Sequence, residues 1–203
     1  MPGIHSQRSR NRVSRAAFVT IGATAGFRGL LQEVVSPKFL TTLQSRNFTD
    51  LIVQCGPDLD YFLTITPDNS QESYGIEITA FSYAPDLNKY FALASRGEYG
   101  NSNSQRDRGV IISHAGSGSI IGALEFDSKL IAVPNPELMD NHQLEIAEEM
   151  ELQGFLIHGT LGSVAEAIKK IDITDLRKWP PGPSPGSAYQ KGGLWEAINE
   201  LMP

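Results

Sequence analysis

The sequence has 203 residues, of which 40% are hydrophobic and 20% are charged, with a formal net charge of -6 at pH 7. A chain of this length can bury one sizeable core, and its near-average composition excludes the fibrous and intrinsically disordered classes. The acidic balance argues against nonspecific nucleic-acid binding, which depends on Lys and Arg side chains that neutralise phosphates. We therefore expect one globular domain.

Cysteine content and apolar run length bear on the compartment. Cys55 is the only cysteine, so no intramolecular disulfide can form, and an oxidising compartment gains no support. The longest apolar runs are far shorter than the roughly 20 residues that a membrane-spanning helix needs. The sequence therefore predicts a cytoplasmic protein that reaches a membrane only through another protein.

The first 15 residues are rich in arginine and serine, and no acidic residue occurs before Glu33. This composition resembles that of an organellar transit peptide. A strand-like run over residues 17–21 follows directly and leaves little room for cleavage, so we predict a basic flexible tail over residues 1–15 instead. The folded domain is then expected over residues 16–175.

Strand and helix patterns alternate along this domain. Short apolar runs rich in β-branched residues predict strands buried on both faces at residues 18–21, 51–53, 76–81, 110–113, 130–133 and 155–157. Apolar residues at three- and four-residue spacing predict helices at residues 26–35, 85–94, 119–126, 141–152 and 163–171. The alternation predicts an α/β fold with a mostly parallel sheet covered by helices.

Two segments interrupt this pattern. Residues 95–109 are rich in Asn, Ser, Arg and Gly, which predicts an exposed and unusually long loop. A Pro/Gly-rich linker is predicted over residues 176–192, because the run at 180–186 cannot continue a helix or a central strand. Residues 193–203 have helical spacing, and a helix this short is marginal alone, so we expect it to dock on this domain or on a partner.

The most informative turn follows the predicted strand that ends at Ser113. The N–H groups at a helix start have no intrahelical partner and the helix dipole is positive there, so a helix beginning near Ser119 favours a phosphate. Gly116 and Gly118 would let a ligand approach the backbone closely, and Ser117 can add a hydroxyl donor. Two interpretations remain open from these residues: a diphosphate site, and an ordinary glycine-rich turn with Ser119 as N-cap.

The same glycines permit a rival interpretation. Gly116, Gly118 and Gly122 approximate the dinucleotide-binding fingerprint, which is a weak signal alone. That fingerprint normally follows the first strand, and an acidic residue at the end of the next strand supports it. Here the next strand ends in Val133, Pro134 and Asn135. A nicotinamide- or flavin-dependent oxidoreductase therefore remains only as an alternative.

A polar cluster follows the next predicted strand, at the same edge of the sheet. Asp140, Asn141, His142 and Gln143 offer donors and acceptors of the kind that sugar hydroxyls need. The other interpretation is a helix-capping cluster with Asp140 or Asn141 as N-cap.

A third turn follows the first strand. Gly22, Ala23 and Thr24 are small residues that lead into a helix, and they could close over a phosphate or an acceptor. An ordinary turn is the other interpretation of this short motif.

Metal binding and serine catalysis find little support. His5, His114, His142 and His158 show no paired ligand spacing, and a single cysteine excludes the usual structural zinc sets. No Gly-x-Ser-x-Gly motif occurs in the strand context of a nucleophilic serine. We therefore expect no metal site.

Three ordered motifs resemble a known family. Residues 113–120 (SHAGSGSI), 130–135 (LIAVPN) and 138–143 (LMDNHQ) are similar to the eukaryotic N-acetylglucosaminyltransferase subunit of the dolichol pathway, the soluble partner in UDP-GlcNAc:dolichyl-diphosphate-GlcNAc transferase. The resemblance extends over most of residues 16–170. It implies a Rossmann-like fold, equivalent to the carboxy-terminal half of a glycosyltransferase B fold and similar to the donor half of the bacterial enzyme that makes lipid II.

The resemblance also implies an activity. Such a chain would bind UDP-GlcNAc and add the second GlcNAc to dolichyl-diphosphate-GlcNAc for protein N-glycosylation, in a β1,4 linkage with inversion and without a metal or cofactor. Its partner would be a membrane-anchored, acceptor-binding subunit that recruits it to the cytosolic face of the endoplasmic reticulum. The same resemblance allows a non-catalytic interaction subunit that has kept the fold.

The family motifs assign roles to residues of this sequence. The diphosphate would face His114, Gly116, Ser117, Gly118 and Ser119. The sugar would face the cluster from Asp140 to Gln143. The uracil would face Phe81, Ser82 and Tyr83. The loop with Gly22 and Thr24 would face the cleft. No residue is a clear general base, so that group is expected on the partner.

Three features depart from the family pattern. Gly122 stands where relatives tend to carry an acidic residue for the ribose, and Glu125 is the nearest acid along that helix. Residues 95–109 are inserted, and the Pro-rich linker near the carboxy terminus also differs. A final helix that contacts the membrane subunit is, by contrast, similar to the family arrangement.

Overall fold

The structure is a computed structural model that describes residues 13–98, 105–126, 128–138 and 142–179. Six strands form its main sheet: β1 (Ala16–Thr20), β2 (Asp50–Gln54), β3 (Glu77–Phe81), β6 (Val110–Ser113), β7 (Lys129–Ala132) and β8 (Ile157–His158). Two short strands pair separately: β4 (Gly97–Glu98) and β5 (Gln105–Arg106). The helices are α1 (Arg28–Val34), α2 (Pro37–Ser45), α3 (Leu59–Ile65), α4 (Ser70–Tyr74), α5 (Asn88–Leu93), α6 (Ser117–Leu124), α7 (His142–Leu152) and α8 (Val164–Ile173), with a 3-10 turn at Gly56–Asp58.

The strand order explains where a ligand can bind. All neighbouring strands of the main sheet are parallel, in the order β3-β2-β1-β6-β7-β8. The chain first moves outward from β1 to β3 and then returns to β6 on the other side of β1. Open parallel sheets bind ligands outside the carboxyl ends of their strands at such a reversal. The turns after β1 and β6 therefore border the expected binding position.

Helices cover both faces of the sheet, because successive side chains of a buried strand point in opposite directions. In β1, Val19 packs into one core with α1, α2, α3 and α8, whereas Phe18 packs into a second core with α5, α6 and α7. This two-sided burial confirms the predicted α/β fold with a parallel, helix-covered sheet.

All six predicted strands are present, with ends shifted by at most two residues, and so are the five predicted helices. The structure adds α2, α3 and α4, which the sequence prediction missed. The start of α2 had a readable signal: Ser36 is its N-cap and accepts a hydrogen bond from the N–H of Phe39 at 3.3 Å, and Pro37 occupies the first helical position. Among the described residues, no helix is long and apolar enough to cross a bilayer.

Two predicted boundaries need correction. The expected exposed loop at 95–109 contains the paired strands β4 and β5. Ser95 is buried, and its hydroxyl donates a hydrogen bond to the carbonyl of Phe91. Residues 99–104 lie outside the described part of the chain. Arg15, assigned to the flexible tail, instead packs over the ring of Phe48 and forms an ion pair with Asp172 at 2.5 Å, so the folded domain includes it.

The predicted linker at 176–192 also begins inside the fold. Leu176 packs against the core, and the indole of Trp179 makes an edge contact with the ring of Phe155 at 5.4 Å between centroids. The rest of the predicted linker and the predicted helix at 193–203 lie outside the described residues.

Candidate functional site

A cleft at the carboxyl edge of the sheet brings together three turns that are far apart in the sequence. Its volume is about 170 Å³, and it lies where the chain reverses between β1 and β6. The walls come from the turns after β1, β6 and β7 and the start of α7: Ile21, Gly22, Ala23, Thr24, Ala25, Phe27, His114, Asn135, Leu138 and Gln143. The small-residue turn, His114 and Gln143 were selected from sequence, and they line one cavity.

The imidazole of His114 is held in a single orientation. Its Nδ1 lies 3.2 Å from the carbonyl oxygen of Thr20, which also accepts the backbone N–H of His114 at 3.0 Å. A carbonyl oxygen can only accept, so Nδ1 carries the proton and Nε2 is the acceptor of the neutral ring. Burial lowers the pKa of His114, which keeps the ring neutral near pH 7.

Two glycines make room for this ring. A Cβ atom at Gly22 would lie 2.9 Å from Cε1 and Nε2 of His114, and one at Gly116 would lie 2.5 Å from Nε2. Gly22 also adopts a φ of +82°, a left-handed conformation that L side chains rarely adopt. The imidazole and the two glycine turns are thus packed as one unit on the wall of the cleft.

Ala115, between His114 and Gly116, adopts an unusual backbone conformation. Its φ is +66°, and its side chain is fully buried. A non-glycine residue in the left-handed region costs on the order of 1 kcal/mol or more, and persists only where the surrounding packing imposes it. The backbone that leads into α6 is therefore held firmly in a strained form.

The amino terminus of α6 opens beside the cleft. The first hydrogen bond of this helix runs from the N–H of Ile120 to the carbonyl of Gly116 at 3.0 Å. The N–H groups of Gly118 and Ser119 come before it and have no acceptor within the helix. Gly118 is exposed, and no atom lies within 4 Å of the place where its Cβ would be. The helix begins at Ser117, two residues before the predicted start, so Ser119 lies in the first turn and is not the N-cap.

Asn135 is a buried hub that the sequence analysis did not select. Its Nδ2 donates to the carbonyl of Gly26 at 3.1 Å, and its Oδ1 accepts the N–H of Glu137 at 3.0 Å. Its own N–H donates to Oε1 of Gln143 at 3.2 Å. Asn135 thereby ties the turn after β7 both to the loop before α1 and to the first turn of α7.

Of the other three members of the polar cluster, the structure describes His142. Asp140 and Asn141 lie outside the described residues. His142 begins α7 with an exposed side chain, and its Nδ1 lies 3.8 Å from Oε2 of Glu145 one helical turn later. Of the four predicted sugar contacts, only Gln143 is seen on the wall of the cleft.

The predicted uracil contacts end β3 at the same edge of the sheet. Phe81 is stacked on Tyr90 at 4.3 Å between ring centroids, and Tyr83 is 64% exposed. β3 is three strands away from β6, which corresponds to about 14 Å at ordinary strand spacing. Phe81, Ser82 and Tyr83 therefore do not line the cavity formed around His114.

A buried carboxylate fixes the loop between the cleft and α1. Asp58 is only 7% exposed and accepts the N–H of Phe27 at 3.0 Å and the Nε–H of Arg28 at 2.9 Å. A side chain at Gly26 would collide with this carboxylate. Sequence reasoning missed Asp58 because its partners lie about 30 residues earlier and no local pattern connects them.

The departure at Gly122 has a packing explanation. A Cβ at this position would lie 2.8 Å from Cε2 of Phe91, so α5 and α6 approach each other too closely for an acidic side chain. Glu125 caps the opposite end of α6, about 12 Å along the axis from Ser117. Glu125 is therefore not a substitute contact at the cleft.

Three other features bear on the chemistry of this edge of the sheet. A larger hollow of about 420 Å³ shares Asn135 and Gln143 with the cleft and extends to His158 at the end of β8. In the described ranges, no three His, Cys, Asp or Glu side chains are close enough to hold a metal ion. Burial, with a smaller effect from Asp58, raises the pKa of the Cys55 thiol to about 12, so this thiol stays protonated and unreactive.

Comparison with known proteins identifies similar sequences. The model of the glycosyltransferase family 28 C-terminal domain matches residues 102–177. The chain is 33% identical to the UDP-N-acetylglucosamine transferase subunit ALG13 of Candida glabrata, covering 79% of this chain and 89% of that protein. It is 30% identical to the Saccharomyces cerevisiae subunit, covering 79% and 90%. It is 28% identical to the Candida albicans subunit; that match covers 83% of this chain and 64% of that protein, so the chain spans less than two thirds of that relative's length.

Solved structures show the same fold. The NMR solution structure of ALG13 superimposes with a TM-score of 0.53 at 24% identity, covering 79% of this chain and 88% of that chain. The crystal structure of Acinetobacter baumannii MurG superimposes with a TM-score of 0.51 at 15% identity, covering 82% of this chain and 42% of that chain.

Proposed function

The chain belongs to the family of UDP-N-acetylglucosamine transferase subunits, and we propose on that premise that it is the donor-binding subunit of a two-subunit glycosyltransferase. Its donor is UDP-GlcNAc. Its acceptor is dolichyl-diphosphate-GlcNAc, to which the complete enzyme adds a second GlcNAc in a β1,4 linkage during the synthesis of the lipid-linked oligosaccharide for N-glycosylation.

The observation that carries this proposal is the open amino terminus of α6 at the point where the sheet order reverses. The N–H groups of Gly118 and Ser119 and the positive end of the helix dipole form an anion site. Gly118 has open space on its exposed side, so a diphosphate can approach the backbone closely. Ser117 lies at the rim of this proposed site, and His114, whose neutral ring offers only an acceptor at Nε2, supports the turn by packing and does not donate to the phosphates.

This arrangement suits the departure of UDP. As the glycosidic bond breaks, negative charge grows on the diphosphate, and preoriented N–H donors stabilise that charge without a metal ion. The strained turn at Ala115 fixes those donors before the ligand arrives. Residues 116–119 are therefore proposed to stabilise the leaving group.

The sugar and the nucleoside occupy the two sides of the diphosphate. Gln143 lies on the wall of the cleft, and with Asp140, Asn141 and His142 it is proposed to contact the GlcNAc. Uridine is proposed to extend toward Phe81, Ser82 and Tyr83. Tyr83 is the exposed aromatic ring of that group, since the ring of Phe81 is already stacked within the protein.

The general base is proposed to come from the partner subunit. Inversion needs a group that removes the proton from the acceptor hydroxyl while that oxygen attacks the anomeric carbon. Among the described residues that line the cleft, His114 is the only titratable side chain, and its Nδ1–H is bound to Thr20. The turns at Gly22 and Gly116 pack close to its Nε2, since a Cβ at either glycine would lie within 3 Å of that atom.

The partner is proposed to be a membrane-anchored subunit that binds the lipid acceptor and holds this chain at the cytosolic face of the endoplasmic reticulum. The relatives are named as transferase subunits, which implies at least one further chain. Because the acceptor carries a polyisoprenoid anchor, the surface that faces it must be close to the bilayer.

Calorimetry on the isolated chain tests the donor proposal. We expect UDP-GlcNAc and UDP to bind and NADPH not to bind; binding of NADPH without UDP would favour the oxidoreductase. Turnover of a lipid-diphosphate-GlcNAc acceptor is expected only after the membrane partner is added.

Replacement of Gly118 by Leu should abolish both donor binding and turnover while the complex still forms. Full turnover by that variant would contradict the diphosphate site. If the unsubstituted chain forms the complex with its membrane partner but binds no UDP-GlcNAc, it is a non-catalytic subunit.

A further inference from the structure

The turn between β7 and α7 is held in place by the side chain of Asn135. This side chain is only 6% exposed, and both of its polar ends bind backbone groups. Its Nδ2 donates to the carbonyl of Gly26 at 3.1 Å, and its Oδ1 accepts the N–H of Glu137 at 3.0 Å. A carbonyl can only accept and an N–H can only donate, so the orientation of this amide is unambiguous. The turn is therefore attached to the loop before α1 at a fixed point.

The residues on either side of Asn135 leave this turn a single backbone donor. Pro134 and Pro136 have no N–H group, and their rings fix φ. Asn135 itself precedes a proline, which favours an extended backbone at its own position. Within residues 134–136 the N–H of Asn135 is thus the only backbone hydrogen that can be donated, and a stiff segment sets its direction.

That single donor fixes the amide of Gln143 in the first turn of α7. The backbone nitrogen of Asn135 lies 3.2 Å from Oε1 of Gln143. Because this N–H can only donate, the near atom of the Gln143 amide must be its oxygen. The NH2 group of Gln143 makes no hydrogen bond within the described residues. Gln143 lines both the cleft and the larger hollow beside it, so the NH2 group is the end of the amide that is left for a ligand.

We propose that Asn135 is a positioning residue that orients the amide of Gln143, so that Gln143 recognises the donor sugar by donating a hydrogen bond to one of its oxygen atoms. This role rests on the proposed transferase function, and Asn135 fulfils it without touching the substrate. An amide that is free to rotate can present either its oxygen or its NH2 group to a ligand. Holding the oxygen against the backbone selects one orientation, so the side chain loses less freedom when the sugar binds.

Asp58 provides a comparison that separates this role from simple support of the loop. Asp58 holds the same loop from its other side, because it accepts the N–H of Phe27 at 3.0 Å. The hydrogen bonds of Asp58 go to Phe27 and Arg28, and none goes to Gln143. Asp58→Ala therefore loosens the loop without releasing the Gln143 amide, which makes it the matched control.

Calorimetry with UDP and with UDP-GlcNAc on the full chain isolates the sugar contact. Both ligands meet the same fraction of folded protein, so a general loss of stability cancels from the ratio of their dissociation constants, Kd(UDP)/Kd(UDP-GlcNAc). We expect Asn135→Ala and Gln143→Ala each to reduce this ratio by about 3–10-fold, the effect of one hydrogen bond. The double variant should fall no further than Gln143→Ala, because both changes remove the same interaction. Asp58→Ala should leave the ratio unchanged.

Two conservative variants separate hydrogen bonding from lost volume. Asn135→Asp keeps the shape of the side chain and the acceptor for Glu137 but loses the donor to Gly26, and it should also reduce the ratio. Gln143→Glu keeps an oxygen for the N–H of Asn135 but has no NH2 group. It should reduce the ratio at least as much as Gln143→Ala.

An unchanged ratio in both Asn135 variants would overturn the proposal, since the residue would then support the fold alone. Losses that multiply in the double variant would also overturn it, because Asn135 would act independently of Gln143. A ratio retained by Gln143→Glu would show that the NH2 group is not what recognises the sugar. If the unsubstituted chain binds neither UDP nor UDP-GlcNAc, the proposed function itself fails, and the positioning role of Asn135 fails with it.

Discussion

Nε2 of His114 lies 2.5 Å from the position that a Cβ atom would take at Gly116. The ring and the turn are therefore coupled: neither can change without displacing the other. His114 is bound to Thr20 at the end of β1, so the coupling extends across both strands at the chain reversal. It holds the amino terminus of α6 in a defined position beside the cleft.

The two glycines of this turn should respond differently to alanine. Gly116→Ala overpacks against His114, and we expect a loss of about 1–3 kcal/mol in the free energy of unfolding. Gly118→Ala meets no atom within 4 Å and removes a glycine from a helix, so it should stabilise the fold by roughly 0.5–1 kcal/mol. Both should weaken UDP-GlcNAc binding. Chemical denaturation and calorimetry measure the two effects, and equal stability of both variants would contradict the coupling.

His114 should make the fold less stable in mild acid. Burial lowers the pKa of His114 below 6.5, so between pH 6.5 and that lower value the unfolded chain binds more protons than the folded chain. The stability contributed by the neutral ring is complete above pH 6.5 and is lost as the pH falls. Urea midpoints at pH 7.5 and 5.5 measure it. His114→Asn should reduce this dependence; a pH dependence equal to that of the unsubstituted chain would reject the assignment.

Asp58 should control the loop that borders the cleft. Asp58→Ala leaves the buried N–H of Phe27 without its acceptor, which costs about 1–3 kcal/mol, and removes the partner of Arg28. We expect faster hydrogen exchange over residues 22–27 and weaker donor binding. Asp60→Ala is the matched control, because Asp60 is exposed on the neighbouring helix. Unchanged exchange in Asp58→Ala would show that the loop is held by other contacts.

Gly122 should matter for packing and not for the donor. Gly122→Ala brings a methyl group to 2.8 Å from the ring of Phe91, so we expect a loss of about 1–3 kcal/mol in the free energy of unfolding. Phe91→Leu in the same chain should relieve part of that loss, giving a favourable coupling in a double-mutant cycle. Donor affinity per folded molecule should stay unchanged. Additive losses of the two single variants would argue against the contact.

Several parts of this fold could be predicted because their signals are local. The strand at β1 could be recognised from its apolar, β-branched run, and α6 from the glycine turn that precedes it. The strand-helix alternation then required a parallel sheet, whose carboxyl ends share one edge. That rule predicted that Gln143 lies at the same edge of the sheet as the turn that begins at His114, and both residues line the cleft.

The missed elements had weaker local signals. α3 and α4 are only seven and five residues long, too short for a helical period to stand out. The pairing of β4 with β5 joins residues of low strand propensity within a polar segment. Their formation depends on the surrounding fold.

The sequence by itself determined the α/β class, the family and the turn that opens α6, since each follows from residue patterns along the chain. The tertiary structure alone decided that the imidazole of His114 fills the space left by two glycines, that Asp58 anchors a loop about 30 residues away, and that Phe91 excludes a side chain at Gly122. These contacts depend on which surfaces meet after folding, and close packing selects them through shapes that no one-dimensional spacing records.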